Sequence, residues 1–143
     1  MSVSDILSLL AILFSVGGVI FEVYNSNKMN RITLENKYYE KIFDDILLYN
    51  IPKAREYLCY VGGKLTGTKK LQKAIISLRK NALFFKYNNL EFYNQLREIS
   101  FDIEDYLINN EGEIARDEYV KFEKELDTKL EDLYTIISTY SVK

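Results

Sequence analysis

The chain of 143 residues contains no histidine and no tryptophan, one cysteine and one proline. Without histidine, neither a Ser-His-Asp nor a Cys-His arrangement can be assembled, and a single cysteine rules out the usual zinc sites. The lone Cys59 excludes an internal disulfide, which suits a reducing compartment. Its side chain is expected as a small apolar residue in the core. Glycine is scarce too, with six residues. Several fall in "VGGKLTGTKK", which has the glycines and lysines of a phosphate loop but neither the GxxxxGK[ST] spacing nor a strand run ahead of it. Carboxylates are plentiful but lie in helical polar stripes, where they form solvated faces. No enzyme, metal site or cofactor is expected.

What is present starts with a long apolar run, "SLLAILFSVGGVIFEVYNSNK" at residues 8–28. A cleaved signal peptide does not fit: "MSVSD" carries no positive charge, and "FEVYN" offers no small-x-small site. From Ile6 to Tyr24 a helix would extend about 28 Å at 1.5 Å per residue, close to a hydrocarbon core of about 30 Å. The run therefore predicts a single transmembrane helix. Lys28, Arg31, Lys37 and Lys41 all follow it, which places the N-terminus outside and the remainder in the cytoplasm.

The rest of the chain has helical periodicity. Pro52 sits where a helix would begin, and Gly62, Gly63 and Gly67 make "GGKLTG" the one clear loop. Leu71, Ile75, Leu78, Ala82 and Phe85 form one apolar stripe. Leu90, Tyr93, Leu96, Ser100, Ile103 and Leu107 form a second, and Tyr119, Phe122, Leu126, Leu130, Leu133 and Ile137 a third. Asn88 or Asn89 is a candidate N-cap and "NNEG" a stop. No strand alternation of useful length appears. The expected fold is all-α and oligomeric: a transmembrane helix at 1–27, a juxtamembrane helix at 28–50 and a small cytoplasmic helical bundle at 51–143. The twelve tyrosines fall mostly in the apolar stripes, with hydroxyls reaching solvent.

Within the apolar run, Ser8, Ala11, Ser15, Gly18, Glu22 and Asn25 fall on one helix face, while large residues cover the others. Small residues let backbones approach, and polar ones need partners or water. The stripe reads either as a close-packed oligomerisation seam or as the lining of a pore. Glu22 either reaches the headgroup region or, in a symmetric oligomer, forms a ring of acids that favours cations.

The net charge of −2 hides two opposed halves. Lys53, Arg55, Lys64, Lys69, Lys70, Lys73, Arg79, Lys80 and Lys86 face one acid, Glu56, between residues 53 and 86. Residues 91–132 are strongly acidic. The halves can neutralise each other within the bundle or between subunits. Alternatively the basic segment, interleaved with Tyr57, Tyr60, Phe84, Phe85 and Tyr87, binds phosphates and stacks bases, or touches anionic lipid.

Over residues 25–110 the stretches "ITLENKYYEKIF", "IPKAREYL", "LRKNALFFKYNNLEFYNQL" and "IEDYL" resemble small single-pass membrane effectors of bacterial anti-phage defence, the Hailong channel effectors. That resemblance implies a tetramer in the bacterial inner membrane whose transmembrane pore is held shut by a nucleic-acid oligomer, made by a partner nucleotidyltransferase, and whose opening depolarises the cell. The expected function is thus an oligomeric pore in the lipid bilayer, gated by an anionic nucleotide or single-stranded oligonucleotide on the basic domain. Two alternatives stand beside it: a membrane-tethered helical scaffold that docks a protein partner without conducting, and a small toxin that disrupts membranes without a ligand.

Overall fold

The computed structural model describes the backbone of residues 3–141 and the side chains of residues 12 and 14–140. Helix α1 (Val3–Glu40) runs unbroken through Asn25. An Arg31–Glu35 ion pair at 3.2 Å, spaced i,i+4, braces its exposed surface. Contacts divide the chain into two compact units, residues 1–37 and 38–143.

In the first unit every described side chain from residue 12 to residue 34 is exposed, Phe14, Val19, Ile20, Phe21 and Tyr24 among them. The expected single-pass inner-membrane location is overturned here: among the described residues, no helix is long and apolar enough to cross a membrane. Glu22 interrupts the described apolar stretch, which leaves no uninterrupted run among the described residues of the about 30 Å that a hydrocarbon core requires. Lys28, Arg31, Glu35 and Lys37 then follow. The earlier part of the run, up to residue 11, has side chains outside the described residues. The outward N-terminus and the cytoplasmic placement of the remainder depend on that span and fall with it.

In the second unit the helix widens. Lys41–Asn50 is a π-helix, with the Ile51 amide donating to the Ile46 carbonyl five residues back. The apolar pattern accounts for the width. Ile42, Ile46, Leu47 and Ile51 are buried. At about 100° per residue, as in an α-helix, they would spread over half the circumference. At about 4.4 residues per turn they share one face. Helix α2 (Ile51–Arg55) follows directly, with Pro52 in its first turn, where a fixed φ and a missing donor do no harm.

The unit is mostly helical, as expected, but a small antiparallel sheet is added: β1 (Cys59–Val61), β2 (Lys64–Thr66) and β3 (Gly112–Glu113), in that order. Gly62 and Gly63 join β1 to β2 with φ of +59° and +78°. A two-residue type I′ turn requires positive φ at both positions, and glycine supplies it without strain. Tyr60 pairs with Leu65, and Leu65 with Gly112.

Three longer helices complete the unit: α3 (Thr68–Ala82), α5 (Leu90–Asn109) and α6 (Arg116–Ser141), with the short α4 (Phe85–Asn88) between the first two. Helix α5 packs against both α3 and α6, while the π-helix and α2 lie against α3. The three apolar stripes meet in one core, in which Leu71, Ile75, Leu78, Leu96, Ile103, Leu107, Phe122, Leu126, Leu133 and Ile137 are buried. Each such side chain contributes about 1.5–3 kcal/mol by leaving water. Leu90 departs from its stripe and is exposed; Phe92 takes the core position instead, set edge-on to Phe85 at 4.9 Å. Asn89 is the N-cap of α5, accepting a hydrogen bond from the Phe92 amide at 3.2 Å.

Candidate anion-binding groove

Packing the π-helix and α2 against α3 leaves a groove of about 470 Å³ along their seam. Tyr49, Asn50, Lys53, Ala54 and Tyr57 line one side, and Lys70, Lys73, Ala74 and Ser77 the other. The local sequence explains the arrangement. Tyr49, Lys53 and Tyr57 recur every fourth residue from the end of the π-helix through α2 into the turn after it, and Lys70, Lys73 and Ser77 follow at three and four along α3. The small Ala54 and Ala74 let the two backbones approach beneath them.

The groove holds its cations against aromatic rings. The Lys53 ammonium donates to the Tyr49 hydroxyl at 3.0 Å and stands 5.0 Å from the ring centroid. That hydrogen bond raises the Lys53 pKa above its ordinary value. The Lys70 ammonium lies 4.4 Å from the centre of the Tyr57 ring, an attractive placement over the π-face. Among the described residues, no carboxylate lines the groove.

Other members of the basic segment are already engaged. Arg55 pairs with Asp127, Lys64 with Glu113 at 3.4 Å, Lys69 with Glu111 at 3.8 Å, and Arg79 with Glu104. The opposed charges of the two halves thus meet within the bundle. The first three pairs are exposed and contribute about 0–1 kcal/mol each. Arg79 and Glu104 are mostly buried, and the guanidinium also covers the Phe101 ring at 4.0 Å. Lys53, Lys70, Lys73, Lys80 and Lys86 make no ion pair with another described residue. Lys80 and Lys86 are exposed away from this groove, Lys86 beside the Tyr87 ring.

The interleaved aromatics divide as well. Tyr57 and Tyr87 are open to solvent. Phe85 is buried with Phe92, Phe84 stacks on Tyr38 at 4.1 Å, and Tyr60 stacks on Tyr119 at 4.8 Å, so these rings serve packing. Several tyrosine hydroxyls find internal acceptors where solvent was the expectation: Tyr60 donates to the Ile114 carbonyl, Tyr134 to the Leu47 carbonyl and Tyr119 to Glu123. Cys59 is exposed, contrary to the core role expected of it, because alternation along β1 turns Tyr60 inward and leaves Cys59 and Val61 on the solvent face. On α1, Ser15, Gly18, Glu22 and Asn25 are exposed; Ser8 and Ala11 have side chains outside the described residues. Among the described residues no group of His, Cys, Asp or Glu could hold a metal ion. Sequence reasoning missed Tyr49, Asn50 and Ser77, although the Tyr49–Lys53–Tyr57 spacing was there to find.

The fold and the groove together define a helical domain with a lysine- and tyrosine-lined cleft. No family model, no curated protein and no solved structure matches the chain.

Proposed function

We propose that the chain is a receptor for an anionic ligand, a nucleotide or a short single-stranded oligonucleotide, bound in the groove of Lys53, Lys70 and Lys73. The observation that carries this reading is a set of three lysines beside two tyrosine rings, with no carboxylate partner and no acid lining the cleft among the described residues. A volume of about 470 Å³ suits a small ligand, since such sites run from about 300 to 1,000 Å³. Lysine ammoniums act as point charges toward phosphate, and tyrosine faces stack bases without regard to sequence. The same class of ligand is what the family resemblance implies. Self-association belongs to the proposal too. Helix α1 exposes Phe14, Val19, Ile20 and Phe21, and a helix apolar on several faces is not a solvated one. Conduction across a membrane is no part of it, given the helices described above.

Fluorescence anisotropy with a labelled single-stranded oligonucleotide, and competition by a nucleoside triphosphate, tests the receptor reading. Saturable binding is expected, with log affinity falling against log salt with a slope of about −2 for three neutralised phosphates. Lys73→Ala should weaken binding and flatten that slope by about 0.7, whereas Lys64→Ala should leave both unchanged. Equal affinity of the Lys53→Ala and Lys73→Ala variants and the intact chain would overturn the assignment.

A further inference from the structure

A second groove, between α3 and α5, takes no part in the anion site. Tyr93, Arg97 and Phe101 recur every fourth residue along α5, and Ile76, Lys80 and Leu83 face them from the α3 side. The space enclosed is about 230 Å³, below the range of about 300–1,000 Å³ typical of small-molecule sites and suited to one large side chain. Its floor is apolar, and Leu83 and Phe101 are 49% and 42% exposed. Arg79 is fixed by Glu104 and forms a wall. Lys80 and Arg97 stand exposed at the rim, with no ion pair to another described residue.

We infer that this groove docks an acidic segment of another protein, anchored by one bulky apolar side chain. Charge complementarity sets the partner's chemistry: an apolar floor accepts the anchor, and the two rim cations accept flanking carboxylates. The Arg97 guanidinium offers a planar fork that matches a carboxylate in two parallel hydrogen bonds. A helix presenting an apolar residue with acids one turn on either side meets both demands. Nucleic acid fits less well. The Phe101 ring already carries two cations, the Arg79 guanidinium at 4.0 Å and Arg97 at 5.5 Å, whereas the Tyr49 and Tyr57 rings of the anion groove carry one each. The inference does not depend on the anion site and can fail separately from it.

Selection of a random peptide library on the intact chain tests it. The expected consensus is one Leu, Phe or Trp with at least two neighbouring Asp or Glu residues. A selected peptide should bind at least tenfold more weakly to Arg97→Glu and to Leu83→Asp. Both positions are exposed, so each variant should keep the melting temperature of the intact chain, and Lys53→Ala should bind the peptide normally. Four results would overturn the inference: no consensus, a consensus lacking the acids or the anchor, undiminished binding by Arg97→Glu, or selection only of sequences resembling this chain's own α6. The last would make the groove a contact between copies. Loss of oligonucleotide rather than peptide binding in Arg97→Glu would assign the groove to nucleic acid instead.

Discussion

Gly67 holds the start of α3 against the end of α2. Its φ is +87°, and a Cβ there would collide with the Tyr57 carbonyl oxygen, which is backbone and cannot swing aside. Gly67→Ala should therefore cost about 2 kcal/mol or more, from left-handed strain together with overpacking, and urea denaturation would read it as a lower midpoint. Two tyrosines give a pH dependence. Burial, reinforced by Glu125, pushes the Tyr106 phenol up to about 12. The hydrogen bond to Glu123, reinforced by burial, does the same for Tyr119. A phenol whose folded pKa exceeds the ordinary value of about 10 holds its proton more tightly in the native state. Its contribution to stability is complete below pH of about 10 and is lost as pH rises toward about 12. Thermal melts across that window should fall for the intact chain and fall less for Tyr106→Phe and Tyr119→Phe. At this scale the sequence was uneven as a guide. Asn89 was legible as a cap because a short polar side chain ahead of an apolar period has few other uses. Leu90 was not, since only the packed neighbours decide whether it or Phe92 turns inward.

The elements were legible wherever one periodicity ran long enough. The stripes of α3, α5 and α6 are such cases. The hairpin was not, because three-residue strands show no useful alternation; its signal lay in the Gly62–Gly63 pair, which specifies a tight turn between strands as readily as a loop. The π-helix hid in plain sight, as a buried set spaced 42, 46, 47, 51 that fits no α-helical face. Removing one residue between Ile42 and Ile46 would shift that set to i, i+3, i+4, i+8, an α-helical stripe. Deletion of Asp44 or Asp45, both exposed, should therefore leave a cooperatively folded protein whose melting temperature changes by no more than about 5 °C, the shift that about 1 kcal/mol produces in a domain of this size. Deletion of the exposed Asn94 from α5 should abolish the cooperative transition, since every core residue beyond it would rotate by about 100°.

For the molecule as a whole, the division into a basic and an acidic half was plain in the sequence, but which charges meet was not. Arg55–Asp127 and Arg79–Glu104 join residues far apart in the chain, so their pairing follows from helix packing alone. The groove lysines stand out only after those pairs have been assigned. The apolar surface of α1 has its own consequence at this scale. Sedimentation velocity on the intact chain should show concentration-dependent species larger than the 16.8 kDa monomer. Phe14→Glu combined with Phe21→Glu should return it toward that mass, and a monomer at every concentration would remove self-association from the proposal.

The edge position of Cys59 makes the protein convenient to observe. Its sulfur is the single thiol in the chain, it is open to solvent, and Tyr57 of the lysine groove lies two positions earlier. A maleimide dye attaches at that one place without any mutation, so occupancy of the groove can be followed as a change in light from a chemically uniform sample.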